Sequence, residues 1–218
     1  MLTVNEEPQL TIGYSVLADR LKNLVYPSFT IPHKVLVSVQ NPTKIQLVKN
    51  SQVKYLESND VGVTKSRNLV LSSCDSEILV FGDDDAVFLE DGISKCLEYF
   101  TSNPSVDLIL ARSIDTNGIL RKKYRNRSYK LNKFNCAKAG TIEIMVRASS
   151  AKIKRITFDE EFGAGTKKFL GDEYIFITDL LKIGGNAVFL PITIAAHPSQ
   201  SSGVTSYNQT TMQARAKV

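Results

Sequence analysis

At 218 residues and 43% hydrophobic content, the chain is long enough for one domain with a full core, and it holds no apolar run of the roughly eighteen residues that a membrane span needs. Its start, MLTVNEEPQL, lacks the basic and apolar regions of a secretory signal, and Cys74, Cys96 and Cys136 are too widely spaced for a zinc pattern or a disulfide framework, so a reducing, cytoplasmic setting is expected. The net charge of +5 is local: residues 121–138 hold eight Lys or Arg and no acid, and taking those eight away leaves the rest of the chain at −3.

In chain order, residues 9–16 alternate Leu10, Ile12, Tyr14 and Val16 and predict a first strand. Asp19 opens a helix with Leu21, Leu24 and Val25 on one face. Residues 33–39 predict a second strand, stopped by Gln40-Asn41-Pro42, and residues 53–56 a third. A helix over 65–73 follows Gly62. Residues 78–81 form a short apolar run bounded by Glu77 and Gly82, which suits a strand buried on both faces. Beyond it come a helix over 91–101, a strand over 106–111, a long basic loop over 121–138, and a strand over 141–146 with one polar face. Residues 158–171, with Gly163, Gly165 and Gly171, read as a flexible wall over a site. A helix over 172–183 buries Phe176, Ile177, Leu180 and Leu181 and stops at Gly184-Gly185. A last strand over 187–190 is halted by Pro191, and a polar tail follows Gly203. Strand and helix alternate, so the fold class is α/β, one domain over 1–218 with a parallel sheet.

Chemistry gathers at FGDDD. Asp83, Asp84 and Asp85 follow the buried strand directly, and three clustered anions are explained either by a hard divalent cation or by an acidic turn. Lys65 and Arg67 lie at a helix start, where cations are disfavoured unless an anion such as phosphate compensates, or where they form a solvated basic end. Asp172 and Glu173 open the 172–183 helix as caps, or as a general base with a clamp for an acceptor hydroxyl. Adjacent helical residues diverge by about a hundred degrees, which predicts Glu173 leaning inward with Phe176 and Ile177, and Asp172 nearer the rim. His197 in AAHPS is either a hydrogen-bonding core residue or a ligand. His33 opens a strand and carries no functional reading.

Four segments together resemble the family 2 glycosyltransferases over roughly residues 10–203. NDVGVTKSRN is similar to the turn before the metal strand, FGDDD to the DXD motif, FGAGTKKFLGDEYIF to the glycine-rich loop with its acidic pair, and FLPITIAAHPSQSSG to the closing strand with its His-Pro segment. GYSVLADR stands where the family carries Pro-Thr-x-Asn, and Gln40-Asn41 where many members carry Asp. The resemblance implies a GT-A fold, a Rossmann-like, mostly parallel sheet flanked by helices. It implies an inverting, hexosyltransferase-type enzyme using a UDP-sugar donor and a saccharide or lipid-linked acceptor, in surface polysaccharide synthesis. Asp85 and His197 would hold Mn²⁺ or Mg²⁺. Asp83 would face the ribose with Asp84 assisting, and Ser15, Arg20, Gln40, Lys65, Arg67 and Asn68 would serve the nucleotide sugar. Glu173 would be the base, with Asp172 orienting the acceptor.

Two other readings stand beside it. Sugar-nucleotide pyrophosphorylases use a related fold, but their N-terminal glycine-rich signature with Lys is not seen here. A nucleic-acid-binding module could use 121–138 with its tyrosines, although no nucleic-acid partner is expected. The same basic segment suits an anionic membrane surface or the acceptor side.

Overall fold

The computed structural model describes residues 8–41, 43–51 and 53–198. The expected stop at Pro42 and the polar tail lie outside these. Strands β1 (Leu10–Leu17), β2 (His33–Gln40), β3 (Lys54–Ser58) and β4 (Ile78–Asp83) pair in parallel in the order β3-β2-β1-β4. Helix α1 (Val63–Ser73) makes the crossover to β4. Beyond β4 come β8 (Ile144–Arg147), β6 (Leu108–Ile114), β9 (Ala187–Ala196) and the two-residue β5 (Val87–Phe88), while the equally short β7 (Tyr129–Lys130) also pairs with β9. Strands β6 and β9 are parallel, whereas β8 runs antiparallel to both β4 and β6. The sheet is therefore mixed, with its parallel half on the side of β1.

Both faces are covered, which is why β4 reads as a continuous apolar run. Successive β4 side chains point to opposite faces. Ile78 and Val80 join a cluster with Ile93, Cys96 and Phe100 of α2 (Glu90–Ser102). Leu79 and Phe81 join another with Val70 of α1, Ala148 and Ala151 of α3 (Ala148–Ile153), and Phe176, Ile177 and Leu180 of α4 (Asp172–Lys182). Phe158 stacks on Phe176 at 4.3 Å between ring centres and meets the edge of Phe81 at 5.2 Å. Each such buried ring contributes about 1.5–3 kcal/mol. This trio fixes the 158–171 loop against the sheet close to the α4 N-terminus. All three cysteines are free and buried.

Three expectations are corrected. The helix at Asp19 is a single 3-10 segment, Ala18–Asn23: Leu21 and Leu24 are buried, but Val25 is exposed, because the chain turns extended at Leu24 and Pro27 disfavours helix at the residue before it. The last strand does not stop at Pro191 but runs on to Ala196. Pairing passes from Leu110↔Phe189 to Arg112↔Thr193, so β9 carries extra residues there, and Pro191 sits in the resulting bulge where no ladder donor is required. Residues 141–146 are not one strand with a polar face. Thr141–Glu143 form a 3-10 turn, and Ile144, Met145 and Val146 are all fully buried, because β8 lies mid-sheet with both faces covered.

Candidate active site

The carboxyl ends of the parallel strands hold the site, as expected for an open α/β sheet. Strand β4 runs on through Gly82 to Asp83. A Cβ at Gly82 would come within 2.7 Å of the Tyr14 ring, so only glycine lets β4 pass this close to β1. Ser15 on β1 is the register partner of both Asp83 and Ser38. Helices α1 and α4 point their N-termini to the same end. The 158–171 loop closes between them: Gly163 has φ +94°, and a Cβ there would press on Thr64 at 2.9 Å and on the Asp172 carboxyl at 3.2 Å.

Arg67 is the centre of the arrangement. Its side chain is only 6% exposed. Nη1 donates to Asp172 Oδ2 and lies 3.8 Å from Glu173 Oε1, while Nη2 donates to Asp83 Oδ1 at 3.3 Å. Its guanidinium faces the Phe158 ring at 5.5 Å. One cation thus joins a β4 carboxylate to the pair on α4. Burial alone would lower the Arg67 pKa, but the three carboxylates raise it. Burial and the adjacent Glu173 push Asp172 up to about 7 against the pull of Arg67. Glu173 moves the other way: burial opposes its charge, but Arg67 and the Thr141 hydroxyl, which donates to Oε1 at 2.5 Å, hold it below the usual carboxylate range. The pair therefore resists double ionisation, and Asp172, the less exposed of the two, keeps its proton longer. The expected placement is reversed in one respect. Asp172 is buried on Arg67, and Glu173 is the more exposed member, because the guanidinium and not the apolar stripe decides which carboxylate turns inward.

Asp85 and His197 form a second pair, Nε2 to Oδ1 at 2.8 Å. That contact lowers the Asp85 pKa, and it raises that of His197 against the effect of burial. His197 Nδ1 lies 2.8 Å from the Pro198 carbonyl. A histidine held through one nitrogen in this way presents the other in a fixed direction, as metal-ligating histidines do. No third His, Cys, Asp or Glu joins them among the described residues. This donor set fits Mg²⁺ or Mn²⁺, which keep waters and substrate phosphate as their remaining ligands.

The other expected residues spread around these two pairs. Arg20 Nε binds Asp84 Oδ2 at 2.6 Å; burial pushes Asp84 up and Arg20 opposes it. Gln40 Oε1 accepts from the Gly62 backbone N–H at 2.7 Å, tying the end of β2 to the start of α1. Lys65 is not brought into the cluster, and pairs instead with Asp60 at 3.5 Å on the exposed side of α1. Asn68 bonds both backbone groups of Phe158, donating at 2.9 Å and accepting at 2.8 Å, and so pins the glycine-bearing loop.

The basic segment is not a free loop. Leu131 and Cys136 are buried, and Tyr124 and Tyr129 stack on Phe189, so these rings pack on the core beneath the segment. Its anchor is Glu143, 1% exposed, a residue to which the sequence pattern assigned no role. Glu143 Oε1 accepts from Tyr124 Oη at 2.6 Å and Ser113 Oγ at 2.8 Å, and Oε2 accepts from Lys122 Nζ at 3.0 Å. The available signal was that Glu143 is the only acid between Asp115 and Asp159, directly after eight cations. The Arg121 backbone N–H donates to the Ser113 carbonyl at 3.2 Å and that of His197 to the neighbouring Ile114 carbonyl at 3.0 Å, so this segment begins beside the Asp85–His197 pair.

The strand order, with acidic residues at the end of β4 and at the opening of α4, is the arrangement expected of a GT-A fold. Comparison with known proteins agrees. The model for glycosyl transferase family 2 matches residues 39–163, more than half of the chain, and the chain belongs to that family. This settles the choice against the pyrophosphorylase reading. The matched range holds Gln40, Arg67 and the Asp83–Asp85 run, while Asp172, Glu173 and His197 lie beyond it. The chain is 22% identical over 158 residues to the O-antigen chain rhamnosyltransferase RfbN of Salmonella typhimurium, covering 69% of this chain and 50% of RfbN. S. aureus TarS 1–349 superposes with a TM-score of 0.61 at 15% identity, covering 87% of this chain and 60% of TarS 1–349. TarS 1–349 in complex with UDP-GlcNAc gives 0.62 at 16% identity, covering 92% of this chain and 62% of that one. The chain thus spans half to three-fifths of the length of these relatives. Among the described residues no helix is long and apolar enough to cross a membrane.

Proposed function

We propose that this chain transfers a sugar from a UDP-sugar to a saccharide or lipid-linked acceptor, with inversion, in surface polysaccharide synthesis. The observation that carries the reading is the grip of Arg67 on Asp83, Asp172 and Glu173, which joins the nucleotide end of β4 to a carboxylate suited to proton removal. The similarity to an O-antigen rhamnosyltransferase and to TarS, which has been crystallised with UDP and with UDP-GlcNAc, supports the donor class and the pathway.

In this mechanism Asp83 and Ser15 face the nucleoside. Glu173, ionised and at a helix N-terminus, accepts the proton of the acceptor hydroxyl. The hydroxyl oxygen bonds to the anomeric carbon from the face opposite the departing nucleoside diphosphate, so one displacement inverts that carbon. Asp172 acts on the acceptor only through Arg67 and Glu173, which it holds in place. Asp85 and His197 would hold a divalent ion, Mn²⁺ or Mg²⁺, whose charge stabilises the departing diphosphate. The exposed cations Lys123, Arg125, Arg127, Lys130, Lys133 and Lys138 would meet an anionic acceptor or membrane surface, the latter placing the protein on the inner face of the membrane.

A panel of nucleotide sugars, with and without Mn²⁺, tests this by thermal shift and by slow hydrolysis. A true donor raises the melting temperature by mass action. Glu173→Gln should keep that shift and lose turnover by a factor of about a hundred or more. Should Asp172→Asn abolish turnover while Glu173→Gln only slows it, the two roles are exchanged. Unchanged turnover in both would leave the acidic pair as a helix cap and end the proposal.

A further inference from the structure

The 3-10 turn Thr141–Glu143 joins two features that the sequence kept apart. Its first residue, Thr141, is 4% exposed and donates to Glu173 Oε1 at 2.5 Å. Its last, Glu143, is 1% exposed and receives Tyr124, Ser113 and Lys122, and also the Gly140 backbone N–H at 3.2 Å. The turn is closed by Glu143 N–H on the Gly140 carbonyl at 3.0 Å. A residue held this firmly at one end cannot drift at the other, because the two side chains are separated by only one intervening residue. A buried carboxylate with this many donors is also costly to leave partly satisfied, so the turn has one strongly preferred arrangement.

We propose that Thr141 is a positioning residue for Glu173, and that Glu143 sets Thr141 in place by gathering Lys122 and Tyr124 of the basic segment beneath it. The proposal rests on Glu173 being the base. The Thr141 hydroxyl occupies one lone pair of Oε1 and fixes the rotamer of the carboxylate. It also stabilises the charged form of Glu173. The remaining side chains that act on this carboxylate are Arg67 on α1 and Asp172 on α4. Removing the hydroxyl leaves both of these in place, so the change isolates Thr141.

The test uses Thr141→Val, which keeps the shape and deletes the donor, with Thr141→Ser as the conservative rescue and Glu143→Gln as the remote variant. Two readouts are taken: carbon-13 NMR titration of the Glu173 carboxyl in the protein alone, and hydrolysis of UDP-N-acetylglucosamine against pH. We expect Thr141→Val to move the Glu173 titration and the acid limb of the rate profile to higher pH, and to lower kcat about tenfold with little change in KM. Thr141→Ser should restore both, and Glu143→Gln should move both part of the way. A Glu173 titration unmoved by Thr141→Val overturns the inference, and so does a loss that Ser does not rescue. If Glu173→Gln leaves hydrolysis intact, the base assignment has failed instead, and the NMR titration then decides the contact between the two residues by itself. If UDP-N-acetylglucosamine is not turned over, the titration of Glu173 in wild type and Thr141→Val decides in the same way.

Discussion

Asp172 and Glu173 are neighbours on α4, yet Arg67 hydrogen-bonds only the first and stands 3.8 Å from the second. The buried guanidinium is therefore committed to structure on one side and leaves the other carboxylate accessible. A helix cap alone would not require an arginine buried this deeply, and a purely catalytic pair would not surrender one member to it.

Arg67→Met leaves Asp83, Asp172 and Glu173 facing one another with no cation between them. Breaking a buried pair from one side costs about 3–5 kcal/mol, and a loss of that size is expected in urea unfolding. Arg67→Lys should recover only part of it, since one ammonium cannot serve Asp172 and Asp83 together as the forked guanidinium does. A loss below about 1 kcal/mol in Arg67→Met would show that the carboxylates do not depend on it.

Asp172 carries a pH signature of known sign. Its folded pKa is raised, to about 7, so between the ordinary carboxylate value and that point the folded state binds more protons than the unfolded state. The contribution of this group to stability is present at the low end of the window and is lost as pH rises through it. Asp85, Asp107 and Glu173 are shifted the opposite way, so the difference between wild type and Asp172→Asn is the quantity to follow. The advantage of wild type over the variant should shrink between about pH 4 and pH 7 in thermal melts. An advantage that grows across this range would mean that Arg67 dominates and Asp172 is ionised throughout.

Asp85→Ala should abolish metal-dependent UDP binding while the fold persists, because Asp85 is at a turn and about one-third exposed. His197→Ala should weaken it less, since a neutral imidazole offers a hard cation less than a carboxylate does. Calorimetric titration of UDP with Mn²⁺ separates the two. Equal UDP affinity in wild type and Asp85→Ala removes Asp85 from the metal site. Unfolding of His197→Ala would instead mark His197 as a core residue.

Charge removal in the basic segment should avoid Lys122, whose loss would strip Glu143 of a buried partner. Lys123, Arg127 and Lys130 are exposed, and changing all three to Gln should leave UDP-sugar binding intact while lowering sedimentation with anionic liposomes. Loss of donor affinity in this triple variant would place the segment over the diphosphate.

The parallel half of the sheet was legible because β2 and β4 read as nearly continuous apolar runs and β1 as an alternation of Leu10, Ile12, Tyr14 and Val16. The acidic residues of the site were legible too, since DDD after a strand and DE after a glycine are local patterns. What could not be read was pairing across distance. Arg67 and Asp172 are 105 positions apart, and nothing local says which of two adjacent acids the guanidinium takes. Pro191 misled because a proline normally ends a ladder, and only the partner strand reveals a bulge. Glu143 was hidden because the tyrosine, serine and lysine that satisfy it lie 19–30 positions upstream.

Strand β8 has a mechanical consequence. It pairs with β4 through Ile78, Leu79 and Val80, and with β6 through Leu108, Ile109 and Leu110. Its four residues thus form the seam between the half of the sheet that carries Asp83 and the half that carries His197, and the turn bearing Thr141 leads straight into it. Amide exchange at Met145 and Val146 therefore reports on the whole molecule. Opening that seam breaks both ladders in the middle of the two apolar clusters that span the sheet, so it cannot open while either cluster stays packed.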